Sequence, residues 1–490
     1  MFIAERPVAV PLDLMEQISH ARRRSDALFD IVRSDSLYER PIPERHRIIF
    51  YVGHLEAFDW NLLHTLLFEP NTASSATHAE LDRLFAFGID PVGGGLPTDV
   101  PVDWPALKEV RGYVRDVRTA IDERLASVDF NAVRTRDGFS LTTLLSVAIE
   151  HRLMHVETLA YMLHRLPLDR KIRAQAPELN AIAGGEPATV VVPEMVSIPG
   201  GAVELGLARG DKKFGWDNEY EAHTVEVPAF EIDRYEVTNR EYLQFLAAGG
   251  YENRALWSEA DWEWKNAQRI EHPAFWEKHN NRWHWRGMFE LIPFDANSTS
   301  ASSASRSTSF LSTAFASRDR RVLDWPVYVS HAEASAFARW AGKSLPTEEE
   351  WQRAAYGSVE RNSREYPWGN EIHNDNDTPN RHPHQQLGNF DFRHWDPTPV
   401  NAYPHGRSAF GVDDFLGNGW EWTSTVFAPF PGFEPFPFYR GYSADFFDGK
   451  HYVIKGGSPR TAACMLRPSF RNWFQAHYQY VYAGFRCVHR

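Results

Sequence analysis

Residues 141–166, LTTLLSVAIEHRLMHVETLAYMLHRL, decide how the first part of the chain folds. The stretch has no Pro or Gly. Leu144, Ala148, His151, His155, Leu159 and Met162 step by three or four, the spacing of a single helical stripe. Two histidines therefore lie one turn apart on a face that is otherwise apolar. Two readings are open at this point. They are hydrogen-bonded core histidines, or they are metal ligands, since i, i+4 spacing aims both imidazoles at one point. A third ligand from a second helix would separate the two.

The preceding sequence offers that ligand. LDLMEQISHARRRSDALFDIV (12–32) is amphipathic, and residues 45–68 contain IIFYVGHLEAFDWNLLHTLLF. Residues 104–126 predict a third helix and 141–166 a fourth, so the first domain reads as a helical bundle. On the second helix His54 shares a face with Phe50, Tyr51, Ala57, Phe58 and Leu62. His54, His151 and His155 together predict a three-histidine metal site in the bundle core. His64 and His164, near helix ends, read as ordinary. Glu157 lies about 200° round the helix from His155 and reads as a surface or interdomain residue, not a ligand.

Composition narrows the functional classes. At 490 residues the chain is too long for one ordinary domain. Its 17 Trp and 14% aromatic content suit large cores and aromatic-lined pockets. A net charge of −13 argues against non-specific nucleic-acid binding. Two cysteines, Cys464 and Cys487, make no disulfide scaffold and suit a reducing cytoplasm. The N-terminus has no uninterrupted apolar segment, and no run is long enough to span a membrane.

The expected domains are 1–170, the bundle with the metal site; 171–190, a linker containing AIAGGEPA; and 191–490. The last region alternates strand-like pieces, VVVPEMVSIPG and HTVEVPAFEIDRYEV, with Gly, Pro and Asn turns. Two clear helices are predicted, at 239–248 and 331–341. A further helix start follows at Thr347 in LPTEEEWQRAA, with Thr as N-cap and Glu350 at N3. This is a loop-rich α+β domain. Its Ser-rich stretch at about 295–320 predicts a disordered insertion without a chemical role.

Several strings in this second domain belong together: MVSIPGG (195–201), YEVTNREYLQFLAAGGY (235–251), WAGKSLPTEEEW (340–351), PWG (367–369), GNGWEWT (417–423), KGGS (455–458) and GFR (484–486). They resemble the formylglycine-generating-enzyme, or sulfatase-modifying-factor, fold, a variant of the C-type lectin fold. HRLMHVE (151–157) resembles the HxxxHxE pattern of DinB-like four-helix bundles. The combination resembles the ergothioneine-type sulfoxide synthases. These are non-haem Fe(II) enzymes that use O2 to join sulfur to the imidazole of hercynine, trimethylhistidine.

The resemblance implies that His54, His151 and His155 are iron ligands. It also implies that Asn472 and Trp473, in RPSFRNWFQAHYQYVYAGFR (467–486), bind hercynine together with Phe433. The chemistry is sensible by itself, because a quaternary ammonium prefers an aromatic face and an Asn amide can donate to a carboxylate. In a chain with 17 Trp, a core role for Trp473 stays equally open.

The departures concern the other substrate. Relatives carry a Tyr-Pro-Gly-Tyr-like string where this chain has Phe430-Pro431-Gly432-Phe433. A second class takes its tyrosines after a Leu-Phe pair, and here LFAFGIDPVGG (84–94) has none. The charged groups that meet a peptide-like thiol are replaced by GGGLPTDVP (93–101), Phe474 and Tyr478, and Met154 replaces a polar residue of some relatives. The expected donor pocket is therefore Phe430, Phe474, Tyr478 and Met154.

A pocket without the relatives' tyrosines and charged groups favours a donor that is easily oxidised and little charged. The reading is a selenoneine-synthase-like enzyme using a selenosugar. The first alternative is an ergothioneine sulfoxide synthase using cysteine or γ-glutamylcysteine. An alternative of another class is a zinc-dependent DinB-like transferase or hydrolase. A formylglycine-generating enzyme is disfavoured, because it needs two cysteines about five residues apart and Cys464 is followed at that spacing by Ser469.

Overall fold

The computed structural model describes residues 11–68, 76–86, 96–130, 133–135, 137–173, 191–294, 322–359, 364–370 and 387–490. The predicted Ser-rich insertion, nearly all of the predicted linker and most of the 84–94 string lie outside the described residues. The chain divides into two compact units, Met1–Pro177 and Glu178–Arg490.

The first unit contains α1 (Pro11–Asp30), α2 (Ile48–Leu67), α3 (Ala76–Phe85), α4 (Leu107–Leu125) and α5 (Leu141–Arg165). Helix α3 was not expected. Ten residues with three large apolar side chains give too short a period to read. Ser140 caps α5, its Oγ accepting from Thr143 N–H at 3.0 Å. The helix stops just before Pro167, which disfavours helical backbone at Leu166.

Helix α4 shows the pattern of a surface helix, burying Val110, Tyr113, Val117, Ile121 and Leu125 at three- and four-residue steps. Helix α5 does not. It packs on both α1 and α2, and it buries Glu150, Arg152, Glu157 and His164 along with its apolar stripe. The expected single stripe is therefore too narrow a description, and Glu157 is not a surface residue.

The second unit has four helices among its described residues: α6 (Asn239–Ala247), α7 (Glu259–Gln268), α8 (His331–Trp340) and α9 (Glu348–Tyr356). Its strands are short. β1 (Met195–Ile198), β2 (Gly201–Leu205), β3 (His223–Val227) and β4 (Phe230–Asp233) come first. β5 (Trp276–His279), β6 (Arg282–Arg286) and β7 (Leu291–Pro293) form an antiparallel meander. β8 (Gly419–Val426), β9 (His451–Gly457), β10 (Asn472–Gln475), β11 (Ala483–Gly484) and β12 (Val488–His489) close the chain.

The sheet orders are β1-β4-β12, β2-β3, β5-β6-β7 and β10-β9-β8-β11, which leaves β10 at a sheet edge. Thr238, Ser330 and Thr347 each begin a helix with a capping box to a Glu three residues on. Helix α7 was missed because EADWEWKNAQ has no apolar stripe; Ser258 caps it all the same.

The second unit's motifs meet in its core. Arg486 of GFR donates to both carboxylate oxygens of Glu421 of GNGWEWT, at 2.6 and 2.7 Å, and Trp351 Nε1–H joins them at 3.0 Å. A Cβ on Gly484 would lie 2.5 Å from Glu236 Oε1, so only glycine admits the buried Glu of YEVTN. No helix among the described residues is long and apolar enough to cross a membrane.

Candidate metal centre

One edge of α2 carries aromatic rings at four-residue steps that extend from the residue two before it. His46 lies 4.2 Å from Phe50, and Phe50 stacks on His54 at 4.7 Å. The next ring, Phe58, lies flat on His151 of α5 at 3.4 Å and 11°. These contacts fix the planes of two imidazoles from two helices.

Phe85, the last residue of α3, fixes the third feature, a tautomer. Its carbonyl can only accept, so His54 Nδ1–H donates to it, at 2.7 Å. The lone pair of His54 is thereby assigned to Nε2. That atom is buried and has no hydrogen-bond partner among the described residues. Gly53 makes the arrangement possible, because a Cβ there would lie 2.4 Å from the Phe85 ring.

The structure brings His54, His151 and His155 together, one ligand nitrogen from each within 4.8 Å of the others. His151 Nε2 and His155 Nε2 stand 3.1 Å apart. Two nitrogens each about 2.1 Å from one ion are separated by about this much. The three side chains are 5%, 3% and 2% exposed. Burial pushes His54 down to about 4 and holds His151 and His155 well below the usual histidine range, with neighbouring imidazoles adding to it. All three are neutral near pH 7, the form that binds a metal. Three convergent neutral imidazoles and an unsatisfied buried lone pair fit a divalent ion. An unmet acceptor of this kind costs about 1–3 kcal/mol.

A buried ion cluster braces the two ligand helices. Arg152, the residue after His151, donates to Glu56 Oε1 and Oε2 at 2.9 and 2.8 Å and to Asp59 Oδ2 at 2.7 Å. Arg118 of α4 also binds Glu56, at 2.8–2.9 Å, and reaches Asp26 of α1. Burial acts to raise Glu56, and the two guanidiniums overcome it and hold the carboxyl down at about 2. Burial wins at Asp59, which is raised. The cluster ties α1, α2, α4 and α5 together and sets the rotation of α5 against α2.

Local sequence patterns missed this cluster and the Phe85 carbonyl. Buried Arg and Glu on long apolar helices were the available signal. Tyr51, on the same face of α2 as His54, has its ring 5.7 Å from that of His155. Met154 is half-buried on α5.

The other candidate residues lie in the second unit, on or near β10. Trp473 is half-buried and lies flat on Phe427 at 4.2 Å and 6°, with Tyr442 and Phe446 at 5.4 and 5.6 Å. Phe433 joins this group through Phe447, and Phe430 joins it through Arg471. The Arg471 guanidinium lies 3.9 Å from the Phe430 ring centre.

Side chains alternate along a strand, so Asn472 and Phe474 face away from Trp473. Phe474 stacks on Tyr478 at 5.1 Å. Asn472 Oδ1 accepts from Trp473 N–H at 2.8 Å, leaving its amide Nδ2 to donate elsewhere. The structure thus groups Trp473, Phe433 and Phe430 on one side and Asn472, Phe474 and Tyr478 on the other.

Residues 183–490 match the sulfatase-modifying factor enzyme 1-like domain, and residues 17–159 match the DinB superfamily. Hercynine oxygenase of Mycobacterium tuberculosis is 34% identical over 392 residues, 79% of each chain. Ergothioneine biosynthesis protein 1 of Neurospora crassa is 28% identical over 522 residues, covering 93% of this chain and 55% of that one. Among solved structures, PvdO from Pseudomonas aeruginosa aligns with a TM-score of 0.37 at 18% identity, over 62% of this chain and 99% of that one.

The fold and the matched regions define an enzyme made of a DinB-like helical unit followed by a sulfatase-modifying-factor unit. Within that class the chain belongs to the hercynine oxygenase family, the ergothioneine-type sulfoxide synthases.

Proposed function

We propose that the protein is an Fe(II)-dependent synthase that uses O2 to join a selenosugar to hercynine. The observation that carries the iron assignment is the buried triad of neutral imidazoles from His54, His151 and His155. The chemistry supplied by a bound ferrous ion is the activation of O2. Overall, the donor's Se–H and the ring C–H of hercynine are exchanged for a C–Se bond. One oxygen atom ends on selenium as a selenoxide, and the other leaves as water.

The protein's own residues orient and exclude. The His54–Phe85 hydrogen bond keeps His54 Nε2 unprotonated, and the Phe58 ring shields His151 from water. Trp473 offers an aromatic surface to the trimethylammonium group, and Asn472 Nδ2 donates to the carboxylate. Phe427 covers one face of Trp473, so the ammonium takes what remains open. Both residues lie on an edge strand, where one ligand can reach both sides.

The choice of donor rests on the Phe474–Tyr478 stack, an uncharged surface. A carboxylate buried there without a cation would cost several kcal/mol even after relaxation. A neutral sugar brings only its chalcogen as an anion, and a selenol is both more acidic and more easily oxidised than a thiol.

The test is aerobic incubation of iron-loaded protein with hercynine and selenosugar, thiosugar, cysteine or γ-glutamylcysteine, read by mass spectrometry. The selenosugar should give the highest kcat/KM and the thiosugar a lower one. If cysteine or γ-glutamylcysteine is the best donor, the ergothioneine reading replaces this one. Zinc in place of iron in the purified active enzyme would overturn the metal assignment.

A further inference from the structure

The turn after β10 is held at its tip by a helix that the sequence motifs leave without a role. Ser258 caps α7, its Oγ accepting from Asp261 N–H at 3.2 Å and donating to Asp261 Oδ2 at 2.5 Å. The other oxygen, Asp261 Oδ1, accepts from His477 Nε2–H at 2.9 Å. One turn along the same face, Trp264 lies parallel to the His477 ring, 4.5 Å away and tilted by 3°. One hydrogen bond and one stack therefore fix the imidazole in position and in plane.

His477 sits at the tip of the turn, between the strand and Tyr478. Tyr478 N–H donates to Gln475 carbonyl at 3.0 Å, and Ala332 N–H at the start of α8 donates to Ala476 carbonyl at 3.1 Å. With backbone and side chain both anchored, Tyr478 is carried back over Phe474, the two rings 14° from parallel.

We infer that Asp261 and Trp264 are positioning residues for the chalcogen donor, acting through His477 to hold the Phe474–Tyr478 stack. This rests on the proposal that Phe474 and Tyr478 meet the donor. Both α7 residues hold His477, and the turn that carries His477 also carries Tyr478. The helix would set the distance and tilt of the surface on which the donor lies, while hercynine binding at Trp473 stays independent of it.

The test is steady-state kinetics of iron-loaded Asp261→Ala, Trp264→Ala and Phe474→Ala, using whichever donor of the selenosugar and γ-glutamylcysteine the wild type prefers. That choice of donor separately decides the selenium reading. Asp261→Ala should raise the donor KM about tenfold, the size expected for losing a charge-assisted hydrogen bond. The hercynine KM and kcat should be unchanged. Asp261→Asn keeps an acceptor for His477 Nε2–H and should stay within about threefold of wild type.

A rise in hercynine KM or a fall in kcat with the donor KM unmoved overturns the inference. So does a uniform loss in all three constants with a lowered Tm, which marks a merely structural role. If Phe474→Ala leaves the donor KM unchanged, the donor surface lies elsewhere and the inference falls with it.

Discussion

The two candidate regions are built in opposite ways. The histidine triad sits on long helices, wholly buried, with His54 and His151 oriented by a stack or a backbone carbonyl and the helices locked by a cluster of ions. The β10 region is a four-residue edge strand whose candidate side chains are half-buried and oriented mainly by other aromatic rings. A metal site needs atoms placed within tenths of an ångström, and close-packed helices can deliver that. A surface that must admit and release two organic substrates needs open sides, and a sheet edge supplies them. The comparison predicts that changes in the bundle act as all-or-none losses and changes around β10 as graded shifts in affinity.

The largest effect should come from the ligands. His151→Ala or His155→Ala should abolish ferrous binding, measured by metal analysis, and turnover with it, while circular dichroism still reports a folded helical unit. Full iron content in the double variant would break the comparison at its first term. Next comes the brace. Arg152→Ala leaves Glu56 and Asp59 buried without their main cation, which should destabilise the bundle by about 3–5 kcal/mol in urea titration. A loss below about 1 kcal/mol would mean that water enters and solvates the carboxylates.

Around β10 the effects should be smaller. Trp473→Ala removes a cation–π contact worth about 1–2 kcal/mol, so hercynine should bind about 5–30-fold more weakly by calorimetry. Histidine, without the quaternary charge, should bind poorly to the wild type and be nearly indifferent to the change. Equal binding of hercynine and histidine to the wild type would show Trp473 to be purely a packing residue. The smallest effect is expected from Phe430→Tyr. Its ring lies under Arg471 and beside His223, so an added hydroxyl should leave kcat within about threefold. A large gain in kcat would reveal that a phenol at this place is used after all.

The bundle site was the more legible of the two. Helical period and an i, i+4 pair are local patterns, and they put His151 and His155 on one face without knowledge of what lay opposite. The third ligand followed because His54 repeats the same apolar-face signal. At β10 the family resemblance pairs Asn472 with Trp473, and strand geometry sends their two side chains to opposite sides of the edge. Phe430 was grouped with Phe474 and Tyr478, and the structure instead seats it against Arg471, beside the Trp473 cluster.

The sequence by itself determined the helical first unit, the strand-rich second one, the capping box at Thr347 and the histidine set. Each of these is written in spacing over a few residues, where backbone geometry alone relates position to direction. Tertiary structure decided the rest. It alone supplies Phe85 as the group that sets the tautomer of His54, and it encloses α5 on more sides than its apolar stripe implies. It also brings α7, with no apolar stripe of its own, against the turn at His477. In every such case the partners lie far apart in the chain, and a periodic pattern records only that a face is covered, not by what.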